Sequence, residues 1–132
     1  MRSPLTVVNP SSLPAPRGYS HGIKGAGELL FVAGQIGCDA EGRVVSGGFV
    51  AQFTRALENV LEVVRAAGGS PDRVARLVLY VTDKREYEAH RREIGEAYRE
   101  RMGRHFPAMA LLEVRGLLEP GARVELEATA IL

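Results

Sequence analysis

Two glutamates stand two residues apart in Val124-Glu125-Leu126-Glu127-Ala128, close to the end of the 132-residue chain. In an extended strand the two-residue period puts Glu125 and Glu127 on one face with Arg123 and Thr129. Val124, Leu126, Ala128 and Ala130 then form the other face. Left in water, such a pair is the solvated side of a strand. Covered by another subunit, a carboxylate there could orient water and accept its proton as a general base. The other chemistry-bearing residues offer less. Cys38, the single cysteine, precedes the turn-like Asp39-Ala40-Glu41-Gly42 and reads as an inert strand-end residue. His21, His90 and His105 have no metal-ligand spacing and none adjoins Cys38, so neither metal nor cofactor is expected. Gly25-Ala26-Gly27 lacks the third glycine and the following helix of a dinucleotide site. The chain has no nucleophile elbow, phosphate loop or Ser-His-Asp pattern.

The elements that must position these residues follow from periodicity. Thr6-Val7-Val8 is a short β candidate, and Pro14 and Pro16 keep the following segment extended. Tyr19 to Lys24 and Glu28 to Ala33 read as strands joined in a hairpin by Gly25-Ala26-Gly27. Gln35 to Cys38 and Arg43 to Val45 flank a second turn. From Gly48, apolar residues recur at three- and four-residue steps (Phe49, Phe53, Ala56, Leu57, Val60, Leu61, Val64), predicting an amphipathic helix that Gly68-Gly69 ends. Ser70-Pro71 opens a short helical turn. Val74 to Val81 is a strand largely apolar on both faces, so it should be covered on both sides. A second helix is expected from about Lys84 to Met102. Strands over Ala108 to Arg115 and Ala122 to Ile131 close the chain, with a type II turn at Pro120-Gly121 between them. The reading is a single α+β domain over residues 1–132. Two helices cover one sheet face only, so a second copy should cover the other, in a homo-oligomer packed sheet to sheet.

Composition narrows the function classes. Apolar residues make up 45% and charged residues 25%, with 17 basic and 16 acidic side chains. A net charge of +1 with scattered basic residues makes a nucleic-acid partner unlikely. No window suits a signal peptide or a membrane span, and one cysteine permits no internal disulfide, so a cytoplasmic protein is expected.

Several separated segments together resemble the RidA (YjgF) family, also labelled endoribonuclease L-PSP. They are Ala15-Pro16 with Gly18-Tyr19-Ser20, Val32-Ala33-Gly34-Gln35, Gln52 with Asn59, Phe106-Pro107-Ala108, and Val124-Glu125-Leu126-Glu127-Ala128. The resemblance implies a chorismate-mutase-like α+β fold in a barrel-cored homotrimer, helices outside, with small-molecule clefts between subunits. It also implies hydrolysis of enamine or imine intermediates, such as iminopropanoate, to a 2-oxo acid and ammonia. Within that pattern Tyr19 falls on the cleft tyrosine, Glu125 on the water-positioning glutamate and Gly34 on a backbone position lining the cleft.

The chain departs from the pattern at other cleft positions. Ala33 stands where many members have serine, and Leu111 where a cysteine is common. Met109 stands where the deaminases carry an arginine that forks onto the substrate carboxylate. The usual helix asparagine has no clear match, the nearest positions being Arg91 and Arg92. A thioether offers neither charge nor donor, and charge-assisted hydrogen bonds contribute about 1.5–3 kcal/mol each. Losing the fork should therefore weaken capture of amino-acid-derived imines by roughly two to four powers of ten. Arg17 is one candidate replacement cation and Arg115 a weaker one. Met109 and Leu111 would otherwise form an apolar cleft floor suited to an uncharged ligand. Three functions stay open: imine hydrolysis with altered range, ligand binding without catalysis, and RNA cleavage, which the charge balance disfavours.

Overall fold

The computed structural model describes residues 4–132. Its strands are β1 (Thr6–Val8), β2 (Gly22–Lys24), β3 (Leu29–Ile36), β4 (Val74–Val81), β5 (Ala108–Glu113) and β6 (Val124–Ile131). Its α-helices are α1 (Gly48–Ala66), α2 (Lys84–Ala89) and α3 (Arg91–Met102), with one 3₁₀ turn at Pro71–Arg73. Four strands form a mixed sheet in the order β3-β6-β4-β5, and β1 pairs with β2 in a separate two-stranded ribbon. This is the α+β architecture the sequence predicts.

The core lies on one face of the sheet. Phe53, Leu57, Val60, Leu61 and Val64 of α1 and Ile94, Tyr98 and Met102 of α3 pack on Val32, Leu77, Leu79, Val81, Leu126, Ala128 and Ala130. Two polar side chains of α1 tie the sheet down. Gln52, buried, donates from Nε2 to the Gly121 carbonyl at 3.0 Å and accepts from the Arg123 N–H at 2.8 Å. Asn59 Nδ2 donates to the carbonyls of Ile36 and Cys38, each at 3.1 Å. One amide fixes the start of β6 and the other the end of β3, the two strand ends nearest Glu125.

Three details differ from the sequence reading. β2 does not form a hairpin with β3: it pairs antiparallel with β1, Thr6 opposite Lys24 and Val8 opposite Gly22. Gly25 and Gly27 are needed instead for close approach, since a β-carbon at Gly25 would lie 2.5 Å from Leu5 and one at Gly27 would collide with the Leu132 carbonyl. The long second helix is broken at His90, whose Nδ1 contacts the Glu86 carbonyl at 2.7 Å and whose ring stacks on Phe49. The fifth strand stops at Glu113, so Arg115 lies beyond it. Elsewhere the local chemistry matches. Gly121 has φ +85° and the Ala122 N–H donates to the Glu119 carbonyl at 3.1 Å, the geometry of a type II turn.

Candidate functional site

Glu125 is the second residue of β6, opposite Tyr80 on one side and Ile36 on the other. Between Val32 and Gln35 the β3 ladder shifts register, so Ala33 and Gly34 sit in a bulge beside it. Bulges re-aim groups out of a ladder and gather near functional sites. Here the bulge brings Gly34 under the Glu125 carboxylate. A β-carbon at Gly34 would collide with Oε2 and lie 2.8 Å from Cδ. Gln35 closes the bulge by donating from Nε2 to the Ala33 carbonyl at 3.2 Å. Glu125, Gly34 and Ala33 thus form one half-site.

Tyr80 belongs to the same sheet face, and sequence reasoning missed it. Its hydroxyl donates to Glu127. That hydrogen bond, with burial and the Glu127 charge, holds the phenol above its ordinary pKa. The phenol stays protonated and Glu127 is engaged, leaving Glu125 as the carboxylate of the pair turned to Gly34. The signal available in the sequence was parity: Tyr80 shares its face of β4 with Val78 and Arg76, opposite the acidic face of β6.

Tyr19, Arg17, Met109 and Leu111 assemble elsewhere. Ser20 clips their loop to the edge of β5: its N–H donates to Pro107 O at 3.0 Å, its hydroxyl to Phe106 O at 2.5 Å, and it bridges Ala108. The His21 N–H donates to Asn9 Oδ1 at 2.8 Å, and its ring meets Tyr19 edge-on at 5.5 Å. Gly18, with φ +77°, turns the chain between Arg17 and Tyr19. The result is a hollow lined by Arg17, Gly18, Tyr19, Tyr87, Met109 and Leu111. Arg17 therefore lines the same hollow as Met109. Arg115 does not: it lines a separate hollow with Asp83, Lys84, Arg85 and Glu113.

The two half-sites sit on opposite faces of the sheet. Met109 and Leu111 align with Leu77 and Leu79, whose side chains meet the helices, whereas Glu125 aligns with Tyr80 on the helix-free face. One chain alone does not bring Glu125 to Met109. Among the described residues no group of His, Cys, Asp and Glu could hold a metal ion, and no helix is long and apolar enough to cross a membrane.

The chain that carries these half-sites matches known proteins along nearly its whole length. The endoribonuclease L-PSP family model covers residues 10–132. The chain belongs to this family, the RidA/YjgF group. A RutC family protein of Pyrococcus horikoshii is 35% identical over 94% of this chain and 95% of its own. The human 2-iminobutanoate/2-iminopropanoate deaminase is 31% identical over 95% of this chain and 88% of its own. Among solved structures, a Rid-family protein of unknown function from Yersinia pestis superposes with a TM-score of 0.87 at 32% identity, over 98% of this chain and all of that one. Met109 and Leu111, two positions at which the sequence reading expects a departure, both line the hollow.

Proposed function

We propose that the protein is a RidA-like homotrimer that binds a small carbonyl or imine metabolite in clefts between subunits and hydrolyses an imine to a carbonyl compound and ammonia. The observation that carries this reading is the Glu125 carboxylate held over Gly34 in the β3 bulge. The opposed half-sites support the intersubunit cleft, since only a neighbouring copy could complete either one. The kinship with imine deaminases supports the reaction class.

In the proposed reaction Glu125 accepts a proton from water as its oxygen bonds to the imine carbon. Glu125 returns that proton to the imine nitrogen, giving the carbinolamine. It then takes the carbinolamine hydroxyl proton and passes it to the nitrogen, so that the C–N bond breaks, ammonia leaves, the oxygen becomes the carbonyl of the product and Glu125 is again a carboxylate. Gly34 offers backbone to the substrate and Tyr19 a hydroxyl; Ala33 and Leu111 line the cleft without donors. Met109 supplies no charge-assisted fork, so small imines such as iminopropanoate are poor substrates. The test is ammonia release from enzymatically generated iminopropanoate and from imines of larger amino acids, with and without Glu125→Ala. Turnover of a larger imine that Glu125→Ala abolishes supports the mechanism. Iminopropanoate activity equal to that of an arginine-bearing relative, unchanged by the substitution, overturns it.

A second reading is favoured by the apolar pair Met109 and Leu111 in the hollow: ligand binding without catalysis. Thermal stabilisation by small neutral ligands with no turnover of any imine would select it.

A further inference from the structure

A cavity of about 370 Å³ lies between α3 and the sheet. Its walls are apolar, with Phe53, Tyr87, Ile94, Phe106 and Met109 among them. Its charged lining is of one sign only: Arg17 from the Ser20-clipped loop and Arg91 and Arg99 from α3, with no aspartate or glutamate. The hollow beside Arg115 differs, balancing Lys84, Arg85 and Arg115 with Asp83 and Glu113. Arg17, Arg91 and Arg99 form no ion pair with any described residue, whereas Arg92 and Arg101 on the same helix do.

The helix is built to gather these charges. Arg91, Gly95 and Arg99 recur at four-residue steps and so share a face. A β-carbon at Gly95 would lie 3.3 Å from Arg99 Nη1. The guanidinium thus lies back across the glycine toward the turn that carries Arg91, the direction helical side chains favour. Glycine is the poorest helix former after proline, and here it makes room for a guanidinium.

Three like charges beside an apolar floor favour an anion over a cation or a neutral polar group. An anion that also has an apolar body satisfies both parts of the lining. We propose that this cavity binds a carboxylate carrying an aromatic or branched aliphatic body, with Arg17 and Arg91 gripping the carboxylate and Tyr87, Ile94, Phe106 and Met109 holding the body. A cavity of about 150 Å³ accommodates benzene, so the space here takes a ring and a short chain. The anion anchor would then come from a loop and a helix rather than from the strand position that Met109 occupies. The inference deepens the reading above by naming the ligand class; it rests on that reading only for turnover, because binding is measured alone.

Calorimetric titration of the purified oligomer with 3-phenylpropanoate and with its uncharged counterpart 3-phenylpropan-1-ol tests it. The acid should bind roughly tenfold or more tightly than the alcohol at low salt. In Arg17→Gln/Arg91→Gln that preference should vanish, while Arg85→Gln, outside the cavity and paired with Asp83, should keep it. Arg17 and Arg91 are both exposed, so the double variant should fold; should its melting temperature fall, Arg17→Gln alone gives the same readout with a smaller loss. Equal affinity for acid and alcohol, binding of neither, or a preference that survives the double substitution would overturn the proposal. Acid binding without turnover of any imine would overturn the hydrolytic reading and leave this one standing. Imine turnover with acid and alcohol bound alike would do the reverse.

Discussion

The space that a β-carbon would take at Gly34 is filled by the Glu125 carboxylate. Gly34→Ala must therefore push the carboxylate aside or widen the bulge. Both residues are at least partly exposed, so little stability is at stake. Displacing a base by about 1 Å can cost about a hundredfold in rate. The expected outcome is a loss of that order in imine turnover with a melting temperature close to that of the parent; unchanged turnover would mean that the Glu125 position does not matter. The sequence offered Glu125 as a candidate base, and the family resemblance supplied Gly34. Neither disclosed that the two touch, because the contact depends on a register shift that no local pattern announces. Tyr80 was missed for a similar reason. Its partner Glu127 lies on a different strand, and strand pairing is a non-local choice.

At the scale of elements, the well-read parts are those whose signal is local. The apolar period of α1, the glycine at its end and the turn at Pro120-Gly121 all sit within a few residues. The hairpin expected at Gly25-Ala26-Gly27 failed because the turn residues serve Leu5 and Leu132, and β2 takes β1 as partner. The break at His90 was hidden because helix propensity runs on through it, while the ring's contacts to Glu86 and Phe49 are tertiary or backbone effects. Gln52 makes the dependence of one element on another measurable. Gln52→Ala would leave the Gly121 carbonyl and the Arg123 N–H without their buried partner, a cost of about 1–3 kcal/mol. Urea unfolding should record that loss, and because the same bonds seat the start of β6, turnover should fall with it. Acid should weaken two local caps. Asp83 accepts hydrogen bonds from the Arg85 side chain and backbone, and Asp39 from the Arg43 and Glu41 backbone and the Arg43 side chain. Both carboxyls are held below their ordinary values by those bonds. The unfolded chain thus binds more protons, and the stabilisation is complete above about pH 4 and lost as pH falls through the lowered folded values. Asp83→Asn should flatten part of that acid limb in melting temperatures measured from pH 6 to pH 2.

For the molecule as a whole, the decisive feature is the sheet face without helices. Phe31 is 74% exposed, Leu29 61% and Leu112 44%, and register places them on the face shared by Val78 and Ala110. Burying one such large side chain contributes about 1.5–3 kcal/mol, and a cyclic assembly repeats each contact in every subunit. The sequence expected a cover for the second face of β4; the exposed apolar side chains lie instead on β3 and β5, while Val78 of β4 is already buried. Glu125 lies on this same face, so the contact that covers the sheet would also shape the cleft. Phe31→Glu tests both consequences together, since a carboxylate placed in an apolar interface without a partner is strongly disfavoured. Phe31 is largely outside the core, so the variant should keep its helical circular dichroism while light scattering reports a monomer in place of the proposed trimer. Imine turnover should disappear with the trimer, because Glu125 and the Met109 hollow would be left on opposite faces of a lone sheet. A Phe31→Glu monomer that retains turnover would place all the necessary groups within one chain. A Phe31→Glu trimer would move the interface off this face.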